Sequence, residues 1–395
     1  MRINIFLTSL LFIIIIPGAY YIYIERISYS TGALISVLLI YFIYLLKYKS
    51  IRLEKSYLLY FTILILILVN SLYSMVSFDW FEYDRFILSY LMIWICTIGA
   101  IFFVIFSMNI NDKKLYNHIS AVFYIVLIDG IIFSIKVNFF LSGKPFLLFF
   151  PEMSHFSLIF LPLLLFKVLT SKKHYYVYLI ISISLTLALT VLSLTLLVGT
   201  ILVMLMYSIK KTFIFFLIPA GLILSFIGTE SFSYFVDRIS FIDTNNVSLL
   251  VFLSGWERAY LNLFEYDFLG IGFNQLGFEG QIGFFQNKLA SLNLPSLNLK
   301  DGGSLAPKMI SELGILGIVL ISMYTFFLIK IIYQIKKYNL IYSYLDTFYA
   351  SVFIMSFITI FLRGSGYFSP IVFLLLSSII YFNKHNFNNR DIFLK

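Results

Sequence analysis

The sequence predicts an all-α, polytopic membrane protein, and two features of its composition support this. Of its 395 residues, 61% are hydrophobic and only 12% are charged, whereas a soluble domain has roughly half apolar and about a quarter charged residues. The apolar residues form runs of about 16 to 25, long enough for helices that cross a hydrocarbon core of roughly 30 Å. A water-soluble globule is therefore excluded. The net charge of +9 does not indicate nucleic acid binding, because no soluble domain offers a basic face.

Twelve apolar segments can be placed along the chain, which predicts about 12 transmembrane helices. The segments are 4–24, 31–46, 57–76, 86–107, 117–137, 154–169, 175–190, 193–209, 212–228, 307–333, 345–362 and 367–382. The stretch 175–209 is too long for one helix and has a pair of lysines on each side. Because both of its ends are basic, it is predicted to be a hairpin that turns near 191–193.

The orientation of the helices follows from the positive-inside rule. With a cytoplasmic N-terminus, 18 of the 28 lysines and arginines fall on the cytoplasmic side, and 14 of the 19 acidic residues fall outside. Both termini are therefore predicted to be cytoplasmic. The predicted organisation is an N-terminal bundle of about nine helices (1–228), one large extracytoplasmic loop that is helical and turn-rich (229–306), and three C-terminal helices with a cytoplasmic tail (307–395).

Polar residues outside the cytoplasmic loops are informative in so apolar a chain, because a charge near the bilayer centre costs about 2.5 to 3.5 kcal/mol. The first such group begins the sixth predicted span, in Pro151-Glu152-Met153-Ser154-His155. Glu152 and His155 are three residues apart and share one helix face. One interpretation is a helix N-terminus in which Glu152 complements the dipole and His155 packs. The other is a pair of catalytic groups.

The second and third groups lie in and after the large loop. The stretch 254–264 is amphipathic, and its arginine, Arg258, either contacts headgroups or Glu257 on a solvated face or binds a substrate. Five glycines between 270 and 283 resemble a phosphate-binding loop, but no strand precedes them and no GK[ST] follows. Further glycines between 302 and 317 are typical of close helix packing.

The fourth group is Arg363, in the stretch 361–370, a short outer turn between the last two spans. Its side chain either reaches lipid headgroups or binds phosphate oxygens through its planar fork. Asp129, inside the fifth span, is expected to be either paired or protonated. The single cysteine, Cys96, leaves no disulfide and no cysteine metal site.

Taken together, these four groups resemble the O-antigen polymerases (Wzy type) of the O-antigen ligase and polymerase superfamily. The strings that carry the resemblance are PEMSHFSLIFLP (151–162), SGWERAYLNLFEYDFLGIGF (254–273), GGSLAPKMISELGILG (302–317) and FLRGSGYFSP (361–370). They occur in a chain with twelve predicted spans and one large late loop. The resemblance thus covers the whole topology.

The resemblance implies a glycosyltransferase at the periplasmic face of the cell inner membrane. Its substrate would be an undecaprenyl-pyrophosphate-linked oligosaccharide, moved from its carrier onto a new lipid-linked repeat unit. The implied partners, besides the lipid bilayer, are a chain-length regulator and a flippase. No cofactor, metal or nucleic acid is implied.

The chemistry of this transfer selects candidate residues. The departing pyrophosphate needs positive charge, and no DxD metal motif lies in the outer loops, so Arg258 and Arg363, followed by Arg238, are the predicted pyrophosphate-binding residues. Glu152 and His155 are the predicted catalytic groups, because one of them could take the proton of the attacking hydroxyl. The substrate groove is expected to include three residues of the strings that carry the resemblance, Trp256, Glu257 and Tyr367.

Two alternative functions stay open. The first is an O-antigen ligase or another transferase of the superfamily, but ligases usually carry a histidine late in the large loop, where this chain has Lys300-Asp301-Gly302-Gly303. The second is a lipid-linked oligosaccharide flippase or transporter. Such a protein should show two related halves and polar residues near the middle of several spans, and this sequence shows neither.

Overall fold

The computed structural model describes residues 5–25, 29–47, 57–78, 81–139, 147–207, 246–338 and 343–384. Within these ranges all regular structure is helical, apart from one isolated bridge between Leu276 and Glu279. Eight of the described helices are long and apolar enough to cross a membrane, as expected of a polytopic membrane protein. Helices suit this environment because lipid offers no hydrogen-bond partner and each helix satisfies its own backbone groups.

The helices are numbered in chain order. Those before residue 246 are α1 (Ile5–Tyr20, continued by a π-helical turn Tyr21–Glu25), α2 (Tyr29–Lys47), α3 (Leu58–Ser77), α4 (Tyr83–Met108), α5 (Asp112–Phe139), α6 (Met153–Thr170), α7 (His174–Thr190) and α8 (Leu194–Tyr207). Those after it are α9 (Val247–Glu265), α10 (Phe284–Ser291), α11 (Leu305–Leu313), α12 (Ile315–Tyr338), α13 (Tyr344–Phe361) and α14 (Pro370–Lys384).

Most of the predicted apolar segments correspond to these helices. The hairpin turn predicted near 191–193 is confirmed: α7 ends at Thr190, α8 begins at Leu194, and Leu192 adopts a positive φ of 52° between them. The segment 212–228 lies outside the described residues. Because α7, α8 and α14 are shorter than the eight long helices, the count of twelve spans stays a prediction.

The prediction of one continuous segment over 307–333 is wrong, because the chain breaks at Gly314 between α11 and α12. Gly314 has a φ of +56°, and a Cβ there would lie 2.0 Å from the carbonyl oxygen of Phe268. That oxygen accepts a hydrogen bond from the amide of Ile315 (2.7 Å). Hydropathy did not reveal this break, since the immediate neighbours, Leu313 and Ile315, are apolar and the following residues continue the apolar run. Glycine is required because only a residue without Cβ fits this conformation and this contact.

The two central helices of the bundle are α6 and α13, which pack against each other. Nearly every residue of α6 from Phe156 to Val168 is buried, and so is nearly every residue of α13 from Thr347 to Ile360. A helix that is apolar on all sides is surrounded by other helices, whereas a surface helix buries only one apolar stripe. Glu152, at the N-terminal end of α6, is therefore fixed relative to the turn that follows α13.

Asp129 in α5 is paired with backbone rather than with a cation. Its carboxylate accepts hydrogen bonds from the amides of Leu148 (2.8 Å) and Phe149 (3.3 Å). These bonds tie the segment before α6 to α5, because a buried carboxylate needs partners that replace water.

Residues 246–306, the described part of the predicted large loop, form helices and turns. Helix α9 packs against α10 and α11, and Leu250, Val251 and Leu289 form a small apolar cluster between α9 and α10. The predicted domain boundaries at 228/229 and 306/307 stay predictions.

Candidate functional site

The structure brings segments from all four matched strings together at one end of the bundle, called here the Arg363 end. The 362–369 turn joins the third string through the amide of Gly364, which donates to the carbonyl of Gly303 (3.0 Å). Helix α9 joins at Gly255, where a Cβ would lie 2.1 Å from the carbonyl oxygen of Gly302. Close approach of three backbones explains why glycines occur here. The first string joins through Glu152.

Glu152 and Arg363 form an ion pair that is open to solvent. The Arg363 Nη2 atom lies 3.4 Å from Glu152 Oε2, and the two side chains are 30% and 59% exposed, respectively. An exposed pair of this kind contributes only about 0–1 kcal/mol to stability. A ligand can therefore replace either partner at little cost.

The pKa of the Glu152 carboxyl lies below its ordinary value. Partial burial alone would raise this pKa. The proximity of His155 and Arg363 and a hydrogen bond from the Ser154 hydroxyl (2.9 Å) lower the pKa by more than burial raises it. Glu152 is thus a carboxylate at neutral pH, in the form that can accept a proton.

His155 lies one helical turn from Glu152 on α6. Its ring packs against the ring of Tyr29 with centroids 4.6 Å apart. Its Nδ1 atom is buried and has no hydrogen-bond partner among the described residues. The charged groups near it are Glu152, Arg363 and Asp301. The structure thus brings three of the predicted site residues together, with Asp301 as a further carboxylate that the sequence prediction missed.

Arg258 is placed differently, inside the large loop. Its side chain is 2% exposed, with Nε donating to the carbonyl of Gln281 (3.3 Å) and Nη1 to that of Leu299 (2.6 Å). Burial lowers the pKa of Arg258 to about 10, although the Glu312 carboxylate opposes this shift. The guanidinium thus connects the loop segments around residues 281 and 299. A phosphate could bind it only after some of these hydrogen bonds had broken.

Three of the remaining candidates also have contacts inside the protein. Glu257 accepts hydrogen bonds from the amides of Phe284 (2.8 Å) and Phe285 (2.9 Å), so it caps the N-terminus of α10. Trp256 packs partly buried against the main core. The Tyr367 hydroxyl is buried, and burial, together with the nearby Glu312, raises its pKa well above the ordinary value. Arg238 lies outside the described residues.

A buried ion pair in α11, which sequence reasoning missed, stabilises the loop segments around the site. Lys308 Nζ lies 3.4 Å from Glu312 Oε1, with 1% and 0% of the side chains exposed, and it also donates to the carbonyl of Lys300. The Glu312 carboxylate accepts from the amides of Asn274 (2.9 Å) and Leu276 (3.1 Å). The spacing of the pair, four residues apart in an apolar segment, was a signal that could have revealed it.

Arg85, near the start of α4, is a second missed residue at this end. Its Nη2 atom donates to the Asn274 side-chain oxygen (3.2 Å), while its Nε atom is buried and donates to no atom of the described ranges. The ring of Phe278 has two cations near it, with Arg85 Cζ at 4.8 Å and Lys300 Nζ at 4.2 Å from its centroid. The Arg363 end therefore has cations on several elements.

An apolar cavity of about 490 Å³ reaches this end of the bundle from within the membrane helices. Its walls come from α1 to α4 and α11 to α14. Phe273, Leu313 and Tyr367 line it close to the 362–369 turn, and Lys330 and Asn383 line it elsewhere. A cavity with such walls can hold a hydrocarbon chain whose polar end emerges beside the turn that carries Arg363.

Comparison of the chain with protein-family models, with curated proteins and with solved structures finds no match. The function is therefore argued from the site itself.

Proposed function

We propose that this protein is a glycosyltransferase that polymerises a surface polysaccharide, as the resemblance to O-antigen polymerases implies. In this proposal the chain crosses the cell inner membrane twelve times, both termini are cytoplasmic, and the large loop and the Arg363 end are periplasmic. The observation that carries the proposal is the solvent-exposed pair of Glu152 and Arg363, which lies beside an apolar cavity in a membrane bundle. This combination fits a substrate with a hydrocarbon chain, a phosphate and a sugar.

The proposed reaction is a displacement at the anomeric carbon of the donor glycan. The hydroxyl oxygen of the acceptor repeat unit forms a bond to C1, and the bond from C1 to the pyrophosphate oxygen breaks. The Glu152 carboxylate accepts the hydroxyl proton. His155, whose Nδ1 atom makes no hydrogen bond within the described part of the chain, is the other candidate base. Undecaprenyl pyrophosphate is the leaving group.

Arg363 is the proposed group that stabilises the leaving pyrophosphate. Its guanidinium is 30% exposed and can form two parallel hydrogen bonds to phosphate oxygens. Binding of the pyrophosphate would draw Arg363 away from Glu152, which frees the carboxylate for the acceptor hydroxyl. The apolar cavity would hold the first part of the polyprenyl chain.

The proposed function is tested by the length distribution of surface polysaccharide in a strain that lacks this gene. Loss of a polymerase leaves single repeat units on their final acceptor, because ligation continues. Restoring the gene should restore the ladder of longer chains. If deletion removes the single-unit band as well, while lipid-linked polymer accumulates, the protein is a ligase; if single lipid-linked units accumulate on the cytoplasmic side, it is a flippase.

A further inference from the structure

An exposed aromatic stripe runs along the C-terminal half of α9 and into the turn that follows it. Tyr260, Phe264 and Phe268 are 64%, 54% and 44% exposed. Their rings contact in sequence, with centroids 4.8 Å apart for the first pair and 5.2 Å for the second. The spacing of four residues places the first two side chains on the same face of the helix.

The backbone is strained where the stripe leaves the helix. Helix α9 ends at Glu265, yet Phe268 stays in line with Phe264 because Asp267 and Phe268 adopt positive φ angles of 48° and 64°. This conformation disfavours a bulky side chain and suits glycine. A phenylalanine that is both strained and exposed indicates that its aromatic ring has a use outside the protein.

The turn at 266–270 lies beside the last two turns of α3, a candidate membrane span. The Asn70 side chain donates to the carbonyl of Leu269 (2.7 Å), and the Ser74 hydroxyl donates to that of Gly270 (3.2 Å). Asn70 is seven residues, or about 10 Å, inside the C-terminal end of α3. The turn is therefore not raised above the membrane helices.

The surface of α3 at this level is exposed and largely apolar. Its side chains Leu72, Tyr73 and Val76 are 44%, 50% and 86% exposed, as expected for an apolar helix in contact with a bilayer. On the other side of the turn, Phe268 accepts from the amide of Ile315 at the start of α12, and Ile315 is 56% exposed. The turn that ends the aromatic stripe is thus bonded to two candidate membrane helices, each with an exposed apolar surface at this level.

We propose that the C-terminal half of α9 is a membrane-surface helix, with Tyr260, Phe264 and Phe268 inserted at the boundary between headgroups and acyl chains. Aromatic rings favour this boundary, and amphipathic helices lie in its plane. The exposed carboxylates of Glu265 and Asp267 limit the depth, since they must reach water. The proposal does not rest on the glycosyltransferase function.

Site-directed spin labelling in lipid nanodiscs tests this proposal. A nitroxide is attached to Phe264→Cys in the Cys96→Ala background, and its accessibility to oxygen and to the water-soluble reagent NiEDDA is measured by power saturation. Oxygen concentrates in the acyl region, so its accessibility at residue 264 should exceed that to NiEDDA several-fold. Tyr260→Cys provides a second position on the stripe, and the exposed Ser291→Cys in α10 is the water-facing control.

Two results would overturn the membrane contact. A label at residue 264 with NiEDDA accessibility as high as at residue 291 would show that the stripe faces water and is free to bind a glycan. A label with low accessibility to both reagents and an immobilised spectrum would show that protein covers the stripe.

Discussion

At the residue scale, burial separates the two arginines that the sequence had grouped together. Arg363 is exposed beside Glu152, whereas Arg258 is buried and donates to two loop carbonyls. Sequence could show only that both arginines lie outside the short basic loops that are predicted to be cytoplasmic. The sequence could not predict the hydrogen-bond partners of Arg258, because residues 258, 281 and 299 are distant in the chain and come into contact only in the folded protein.

We predict that Arg258→Lys lowers stability rather than acting only on the reaction. A lysine cannot reach both the Gln281 and the Leu299 carbonyls, and a buried carbonyl left without a donor costs about 1–3 kcal/mol. The midpoint of thermal unfolding in detergent should fall. The control is Lys288→Ala, a change in the same loop outside the matched strings. An unchanged midpoint with lost polymerisation would mean that Arg258 binds the substrate instead.

The pH dependence of the reaction tests the role of Glu152. Because the pKa of the Glu152 carboxyl is below the ordinary 4.5, most of the carboxyl is still ionised at pH 4.5. The initial rate in proteoliposomes should therefore be the same at pH 7 and pH 5 and should decline only below about pH 4.5, and Glu152→Gln should remove most activity at every pH. A decline centred between pH 5 and 7 would show that the group that accepts the proton is not Glu152.

At the element scale, the junction between α11 and α12 connects the turn after α9 to the membrane helices. The carbonyls of Ser311 and Glu312 at the end of α11 accept from the amides of Ile271 (3.0 Å) and Gly272 (2.9 Å). These bonds satisfy groups that a helix end leaves open. They also fix the turn after α9 relative to the Lys308–Glu312 pair.

We predict that Gly314→Ala disrupts this junction. The added Cβ would meet the Phe268 carbonyl oxygen at 2.0 Å with the backbone in the left-handed region, so one of the two segments must move. The yield of folded protein by size-exclusion chromatography should fall several-fold. Ile315→Ala, at the adjacent exposed residue, should be tolerated. Normal yield and stability of the glycine variant would show that the contact is unimportant.

The same element shows what sequence could predict about the fold. The turn between α7 and α8 was predictable, because lysine pairs flank a stretch too long for one helix. The break at Gly314 was not, because its cause is a backbone contact with residue 268. The four strings were recognised one by one, and only the structure shows that they meet, through the packing of Gly255 on Gly302 and of Gly364 on Gly303 and through the pair of Glu152 and Arg363.

At the scale of the whole molecule, the distribution of basic residues predicts which side of the membrane carries the site. We predict that Ser291→Cys, in the Cys96→Ala background, is labelled in intact spheroplasts by an impermeant thiol reagent. Lys113→Cys, at the start of α5, should be labelled only after the membrane is opened. The reverse pattern would place the Arg363 end in the cytoplasm, where lipid-linked units are not polymerised in this proposal.

The central claim is that the Arg363 end of this bundle joins lipid-linked repeat units. The most direct measurement uses purified protein in proteoliposomes with isolated undecaprenyl-pyrophosphate-linked repeat units, and it follows product length on gels. Wild-type protein and Lys288→Ala should produce chains of several units and release one undecaprenyl pyrophosphate for each bond formed. Arg363→Lys keeps the charge but loses the planar fork, so it should reduce the rate about tenfold or more at equal protein content. Absence of any elongation by folded wild-type protein, or full activity of Arg363→Lys, would contradict the account.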